Sequence, residues 1–332
     1  MYLKAVCADP AQLIESATNN HLWAERYDRE LIDIFAVQDE ITALVSNIIL
    51  PTVERSERER AARKPPESLD AWECYQRALW HFYKCEPEEN LLGREFFERA
   101  IRYDHGHGLA YCGLALTHLL EAWFFPHAGR PETVLLAVEN ARKSISIDPL
   151  NATAHAVLGC GLIMLGRHEE GIAEADAAIS LDPNHAWGYG INGLSRLSAG
   201  HPGDAIEPLQ AAMRLSPFDP ISPIWMFWLA RAPYLACDYH AAMTVSRRLY
   251  EARPDLPPNI RTLIAALGQL GLTDQARRII REATTRLGEH AVMAAPRDQV
   301  AEVLPEDYQH LVQGLQKAGL RRVDGSLSEL DA

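Results

Sequence analysis

Residues 152–185 read ATAHAVLGCGLIMLGRHEEGIAEADAAISLDPNH, and residues 186–219 continue without a gap as AWGYGINGLSRLSAGHPGDAIEPLQAAMRLSPFD. Both stretches have an apolar first half rich in small residues, a glycine near the middle, and a proline close to the end of the second half. The prolines Pro149, Pro183 and Pro217 therefore recur every 34 residues. Because proline cannot continue a helix and glycine favours a turn, each stretch predicts two helices joined by a tight turn.

Small side chains mark the place where the two helices of a unit are expected to cross. In the first stretch these are Gly171, Ala175 and Ala178, while Leu158 and Leu162 fill the space around them. Such a pattern lets two antiparallel helices approach closely. A period of 34 residues built from helix–turn–helix units is typical of the tetratricopeptide repeat, whose units stack on their neighbours to bury their apolar faces.

More degenerate units precede and follow these two, and the alignment gives about six units over residues 69–290. We therefore predict an all-α chain that forms a tetratricopeptide-repeat superhelix, or α-solenoid. Residues 291–332 are predicted to form a capping helix, Pro305 to Gly319, followed by a polar tail. The reason is that the last unit of a solenoid exposes an apolar end, which a terminal element must cover.

The amino-terminal residues follow a different pattern. Alternating apolar residues over Ala11 to Ser16 and His21 to Tyr27 predict a short β-hairpin, and Glu30 to Leu50 has apolar residues at helical spacing. Because a hairpin and one helix are too small for a core of their own, residues 1–50 are predicted to be the truncated remnant of a larger α/β domain. The alternating charges of residues 51–68 predict a solvated linker helix.

Three stretches resemble a known family. They are AQLIESATNNHLWAERYDRELIDIFAVQDEIT (Ala11 to Thr42), KPPESLDAWECYQRALWHFYK (Lys64 to Lys84) and YQHLVQGLQKAGL (Tyr308 to Leu320). They resemble the tetratricopeptide-repeat region, with the end of a TolB-like domain, of bacterial class III adenylate/guanylate cyclase-related proteins. The resemblance covers nearly the whole chain but only the non-catalytic part of that family. It therefore offers no position for the metal-binding aspartates of a cyclase domain.

Composition argues against several classes of function. The chain has 332 residues and a formal net charge of −13, whereas a nucleic-acid-binding surface needs a basic stripe. The longest apolar stretch, Leu109 to Phe125, contains His118 and Glu121, so we predict no membrane span. The six cysteines have no paired short spacing, which indicates a reduced, cytoplasmic compartment.

The sequence contains no phosphate-binding glycine loop, nucleophile elbow or zinc-binding helix motif, so we predict neither an enzyme nor a cofactor. The nearest approach to a metal site is the turn with His105 and His107, near which His81 and His118 could lie. These histidines lack a third ligand of fixed geometry. Solvated or packing roles explain them better, and no metal site is predicted.

A partner-binding groove is predicted instead. In tetratricopeptide arrays the first helix of each unit lines the concave face, and transferring that rule to this chain gives a mostly apolar groove. Such a groove suits an amphipathic helix or an apolar peptide, with two arginines as anchors for a carboxylate. The predicted groove residues are Leu116, Leu120, Cys160, Ile163, Met164, Trp187, Leu194, Phe227, Arg231, Tyr234 and Arg261.

Two functions remain open at this point. The first is a non-catalytic protein–protein interaction scaffold, whose ligand is another protein, a peptide, a second copy of the chain or its own helix Glu30 to Leu50. The second is a regulatory or sensor fragment of a cyclase-related signalling protein whose catalytic domain is absent from this chain. The groove itself has an alternative interpretation, because leucine and aromatic residues at helical spacing are also typical of a closed core.

Overall fold

The computed structural model describes residues 6–15, 20–30, 53, 55–84, 86–124, 130–216, 222–288, 305–323 and 326–329. Helices dominate this part of the chain. A helix of residues 55–63 (α1) precedes six successive helix pairs. The pairs are Ala71–Phe82 (α2) with Pro87–Tyr103 (α3), Gly108–Phe124 (α4) with Arg130–Ile147 (α5), Ala152–Met164 (α6) with His168–Leu181 (α7), Ala186–Ser198 (α8) with Pro202–Leu215 (α9), Ser222–Leu235 (α10) with Tyr239–Ala252 (α11), and Pro257–Gln269 (α12) with Thr273–Leu287 (α13).

The predicted helix pairs are confirmed, and their small residues lie where the helices cross. A Cβ atom added to Gly159 in α6 would lie 3.0 Å from the carbonyl oxygen of Gly171 in α7. In the next pair, a Cβ on Gly193 would lie 3.0 Å from the carbonyl oxygen of Ala205. Because these neighbours are backbone atoms, a larger side chain would force the helices apart.

Each of the last four pairs closes its turn in the same way. Gly166, Gly200 and Gly271 have φ of 75°, 84° and 72°, and Cys237 has φ of 62° at the corresponding place. In each turn the amide of the next residue donates to a carbonyl oxygen five residues earlier, at 2.8 or 2.9 Å. This is the Schellman arrangement, which satisfies the last carbonyls of the first helix.

Polar side chains cap the starts of α6 and α8. The Asn151 carboxamide oxygen accepts a hydrogen bond of 3.0 Å from the Ala154 amide, and His185 Nδ1 accepts one of 3.0 Å from the Gly188 amide. The other ring nitrogen of His185 lies 3.0 Å from Thr153 Oγ1. His185 therefore caps α8 and also contacts the start of α6 in the preceding unit.

The units stack in chain order. Each first helix from α4 to α12 packs against both helices of the preceding unit. The core is consequently shared between units: one cluster of buried residues extends from Cys112 in α4 to Ala232 in α10, and a second begins at Tyr234. Stability in such an array depends on interfaces between neighbouring units.

The helix of residues 55–63 is joined to the first pair. Arg77 of α2 donates hydrogen bonds of 2.8 and 2.6 Å to the carbonyl oxygens of Ala61 and Ala62. Lys64 forms an ion pair with Glu73, and Ala61 is buried. The predicted linker helix is thus partly packed on the array and not fully solvated.

A pair of strands precedes the helices. Val6–Glu15 (β1) and Asn20–Glu30 (β2) are antiparallel, with an irregularity in the register after Leu13. The helix predicted from Glu30 to Leu50 falls on residues 31–50, which lie outside the described residues. The interpretation of this region as the remnant of a larger domain stays a prediction.

The carboxyl-terminal region contains the helix Pro305–Lys317 (α14) and a second antiparallel pair of strands, Leu320–Val323 (β3) and Ser326–Glu329 (β4). The predicted polar tail, Asp324 to Ala332, coincides with β4 but not with β3. The side chain of Leu320 at the start of β3 is buried in the second core cluster, so the chain remains attached to the array beyond α14.

Candidate functional site

The first helices α4, α6, α8, α10 and α12 lie next to one another and carry the predicted groove residues. Four of these residues, Leu116, Met164, Trp187 and Phe227, are partly exposed and pack against the first core cluster. We call these four the upstream groove residues. Because each has apolar surface in contact with solvent, they are available to a partner.

Four other predicted residues belong to the core. Cys160, Ile163 and Leu194 have at most 1% of their surface exposed, and Leu120 has 8%. An external ligand cannot contact a side chain that has almost no accessible surface, so these four are corrected from lining residues to core residues. The repeat pattern alone does not separate such core positions from groove positions.

Aromatic contacts involve two of the upstream groove residues, Trp187 and Phe227. Trp225 lies over Gly190, where an added Cβ would come within 2.8 Å of the indole. The ring centroids of Trp187 and Trp225 are 5.7 Å apart with planes at 89°, and those of Phe227 and Trp228 are 4.7 Å apart. Such ring pairs favour defined relative orientations. Trp187 and Phe227 therefore each pack against a buried tryptophan.

The two arginines predicted as carboxylate anchors are buried, with 3% of Arg231 and 1% of Arg261 exposed. Burial, followed by the nearby charge of Arg231, lowers the pKa of Arg261 to about 10, so the guanidinium is still charged at neutral pH. In α14, burial raises the pKa of Asp307, and the positive charge of Arg231 acts in the opposite direction. Arg231 thus interacts with a carboxyl group of the chain itself.

Tyr234 contacts α14. Its hydroxyl donates a hydrogen bond of 2.9 Å to the carbonyl oxygen of His310, and the two rings are 4.7 Å apart. The Tyr239 hydroxyl lies 3.0 Å from His310 Nε2. Burial lowers the pKa of His310, which favours the neutral ring. The chain's own amino-terminal helix was considered as an occupant of the groove, but the described segment that packs here is α14.

The backbones of α12 and α14 are in direct contact. A Cβ added to Gly314 would lie 2.9 Å from both the Cβ and the carbonyl oxygen of Ala265, and one added to Gly268 would overlap the carbonyl oxygen of Gly314. We call Tyr234, Tyr239, Ala265 and Gly268 the downstream groove. Of these residues only Tyr234 was predicted. The sequence does contain one signal for this contact: Gly314 and Ala318 in α14 and just after it are small residues four positions apart, a spacing that allows close approach to another helix.

The histidines considered as metal ligands have other contacts. His107 stacks on Trp72 with ring centroids 6.3 Å apart, and His81 Nδ1 lies 2.5 Å from a carboxylate oxygen of Glu89. Burial, followed by the charge of Arg94, lowers the pKa of His118 to about 4. In the described ranges, no three metal-ligating side chains come together.

Comparisons with solved structures agree with this geometry. The APC/C hetero-tetramer Cut9–Hcn1 contains a chain that superposes with a TM-score of 0.60 at 14% identity, over 82% of this chain and 49% of that chain. PilW, a type IV pilus biogenesis factor, superposes with a TM-score of 0.55 at 18% identity, over 67% of this chain and 96% of that chain. The chain has a tetratricopeptide-type fold. At these identities the likeness concerns the fold alone.

Comparison with curated proteins gives one partial match. No family model matches it. It is 32% identical over 166 residues to a protein named putative adenylate cyclase 3 from Rhizobium meliloti (strain 1021). The match covers 48% of this chain but only 27% of that protein. Among the helices that the structure describes, none is both long enough and apolar enough to cross a bilayer.

Proposed function

We propose that this chain is a non-catalytic protein-interaction scaffold that binds a helix or an apolar peptide on the upstream groove residues. The observation that carries the proposal is the presence of Leu116, Met164, Trp187 and Phe227 as partly exposed apolar side chains on four neighbouring first helices. Rigid aromatic side chains are frequent anchors of interfaces, because burying them gains free energy without ordering many torsions.

The ligand class follows from the chemistry of this surface. Its four defining side chains are apolar, so the complementary partner surface is apolar as well. An amphipathic helix presents such a stripe at positions i, i+3, i+4 and i+7, which fits a row of helices lying next to one another. The net charge of −13 adds that a partner with basic flanks associates faster than an acidic one.

The test is affinity capture with the full chain and with Trp187→Glu and Phe227→Glu variants, followed by quantitative mass spectrometry. A glutamate in an apolar interface is strongly unfavourable, so we expect loss of the same partner proteins from both variants. Leu150→Glu is the matched control, since Leu150 is 75% exposed in a turn between units. If both groove variants have wild-type circular dichroism and retain every partner, the upstream groove is not the binding site.

A second candidate function rests on the match to putative adenylate cyclase 3. In this case the array is the regulatory or sensor part of a cyclase-related signalling system whose catalytic domain is absent from this chain. The reading frame upstream of the gene provides the test: a cyclase domain encoded there supports this function. Formation of cyclic nucleotides by this chain alone is expected to be undetectable, and measurable turnover would contradict both proposals.

A further inference from the structure

The helix α14 does not continue the stacking pattern of the array. Each first helix from α4 to α12 packs against both helices of the unit before it. Among the described helices, the extensive contacts of α14 are with α12 alone, and Tyr234 at the end of α10 reaches it from the side. The helix therefore lies along α12, the first helix of the last unit, and Tyr234 of the preceding unit meets it at one point.

The contact has the pattern of a helix bound in a groove. Leu311, Leu315 and Ala318 recur at positions i, i+4 and i+7 and have at most 1% of their surface exposed. On the opposite side, Gln313 and Gln316 are exposed. An amphipathic peptide helix that lays one apolar stripe into a groove shows the same distribution.

A small residue is a requirement for this helix. A Cβ added to Gly268 would overlap the carbonyl oxygen of Gly314, so the two backbones are in contact. A Cβ added to Gly314 would lie 2.9 Å from Ala265 and still closer to the Tyr234 hydroxyl, so this place has no room for a side chain. A helix with a larger residue at this place could not approach α12 so closely.

Two tyrosines add polar recognition. Tyr234 donates to the main-chain carbonyl oxygen of His310, a contact that depends on the helix and not on its side chain. Tyr239 meets the imidazole of the same residue at 3.0 Å, and Lys317 donates a hydrogen bond of 2.6 Å to the Gln269 side chain at the rim. The groove thus combines an apolar stripe with a few positioned polar groups.

We propose that the downstream groove is a helix-binding site, that α14 is its intramolecular ligand, and that α14 keeps the site closed to external helices. The external ligand it accepts is an amphipathic helix with small residues at the places of Gly314 and Ala318 between two leucines. This inference rests on the proposed scaffold function, because it assigns a specificity and a regulation to the same row of first helices.

The closed state is the ground state for a simple reason. A ligand on the same chain binds at an effective concentration that is on the order of millimolar for a short connection. A separate helix with the same contacts must reach a similar concentration, or bind more tightly, before it replaces α14. The downstream groove therefore responds to a strong or abundant partner and ignores weak ones.

The test uses the full chain with a specific protease site placed between residues 288 and 305 and cut after folding. The probe is a fluorescently labelled synthetic peptide of residues 305–320. We expect saturable binding of the peptide to the cut chain, and binding weaker by roughly 10²-fold or more to the uncut chain. A peptide with Gly314→Leu should not bind, and one with Gln313→Leu, altered on the exposed side, is the matched control and should bind normally.

Three results would overturn the proposal. The first is a cut chain that stays folded but never exchanges its α14 for the labelled peptide. The second is unfolding of α10 to α13 when α14 leaves, which would make α14 an integral part of the array. The third is equal binding of the peptide to cut and uncut chains. None of these readouts involves an external partner, so they are independent of the Trp187→Glu and Phe227→Glu experiment.

Discussion

The hydroxyl of Tyr234, at the end of the fifth helix pair's first helix, donates a hydrogen bond of 2.9 Å to the carbonyl oxygen of His310, 76 residues further along the chain. The tyrosine side chain is buried, and burial raises its pKa above the ordinary value of 10, so the hydroxyl keeps its proton and remains a donor at neutral pH. This bond connects α14 to the body of the array.

Removal of that hydroxyl should loosen α14. Tyr234→Phe keeps the ring and its stacking on His310 but leaves a buried carbonyl oxygen without this donor, which costs about 1 kcal/mol. We expect faster hydrogen exchange in residues 306–318 and a small decrease in the urea midpoint. The control is Tyr103→Phe, because Tyr103 is 53% exposed. Unchanged exchange in α14 would show that the apolar contacts alone hold it.

Two glycines three residues apart should respond to alanine in opposite directions. Gly200 has φ of 84°, so Gly200→Ala places a Cβ in the left-handed region and should cost about 1–2 kcal/mol. Gly203 lies in the first turn of α9 with no atom near its Cβ position, so Gly203→Ala should stabilise the protein by about 0.4–1 kcal/mol. Thermal unfolding of the two variants measures both effects, and equal signs would contradict the turn geometry.

Acid should destabilise the protein through His118. This ring is buried in α4, and among the described residues its Nδ1 has no hydrogen-bond partner. Burial, and then the charge of Arg94, lowers its pKa from 6.5 to about 4. The imidazole takes up a proton near pH 6.5 in the unfolded chain but only near pH 4 in the folded chain. The contribution of the neutral His118 to the free energy of unfolding is therefore fully present above pH 6.5 and is lost as the pH falls to 4.

The expected size of this effect is roughly 3 kcal/mol over the whole window. His118→Leu should remove that part of the pH dependence, as measured by urea unfolding at several pH values between 4 and 7. His240→Leu, a change at an exposed histidine of α11, is the matched control. The same slope in wild type and His118→Leu would exclude His118 as the cause.

Removal of a buried asparagine side chain should lower the free energy of unfolding more than removal of an exposed one. Asn259 of α12 is fully buried and donates a hydrogen bond of 3.0 Å to the carbonyl oxygen of Ser246 in α11. Asn259→Ala removes this donor from the oxygen and should cost about 1 kcal/mol. Asn140→Ala removes an exposed hydrogen bond within α5 and should change stability by less than about 0.5 kcal/mol. Comparable effects in the two variants would contradict this role of Asn259.

The sequence was sufficient to predict the helix pairs, because the 34-residue spacing of prolines and the small residues at Gly159, Gly171 and Gly193 encode local turns and close crossings. It was not sufficient to separate groove from core. Cys160 and Leu194 have the helical positions of lining residues, yet both are fully buried. Each first helix from α4 to α12 contacts two preceding helices as well as its partner, so apolar residues occupy most of its circumference. The spacing of apolar residues then no longer shows which side of the helix faces the groove.

The local sequence pattern also does not predict the surface on which α14 packs. Its leucines and small residues predict an amphipathic helix but do not specify the surface it covers. That choice is made by Ala265, Gly268 and Tyr234, which lie 46 to 80 residues away in the chain from the residues of α14 and its end that they meet. Contacts between such distant segments depend on the assembled array, which a single sequence without a structure does not reveal.

The contact between Gly268 and Gly314 also has a mechanical consequence. Because Leu320 is buried and α14 packs on α12, tension applied beyond residue 320 acts on these contacts before it reaches the earlier units. Detachment of α14 would release the tension while the helix pairs from α2 to α9 stay folded. A cargo or a second domain attached at this end would be coupled to the array through a link that yields first.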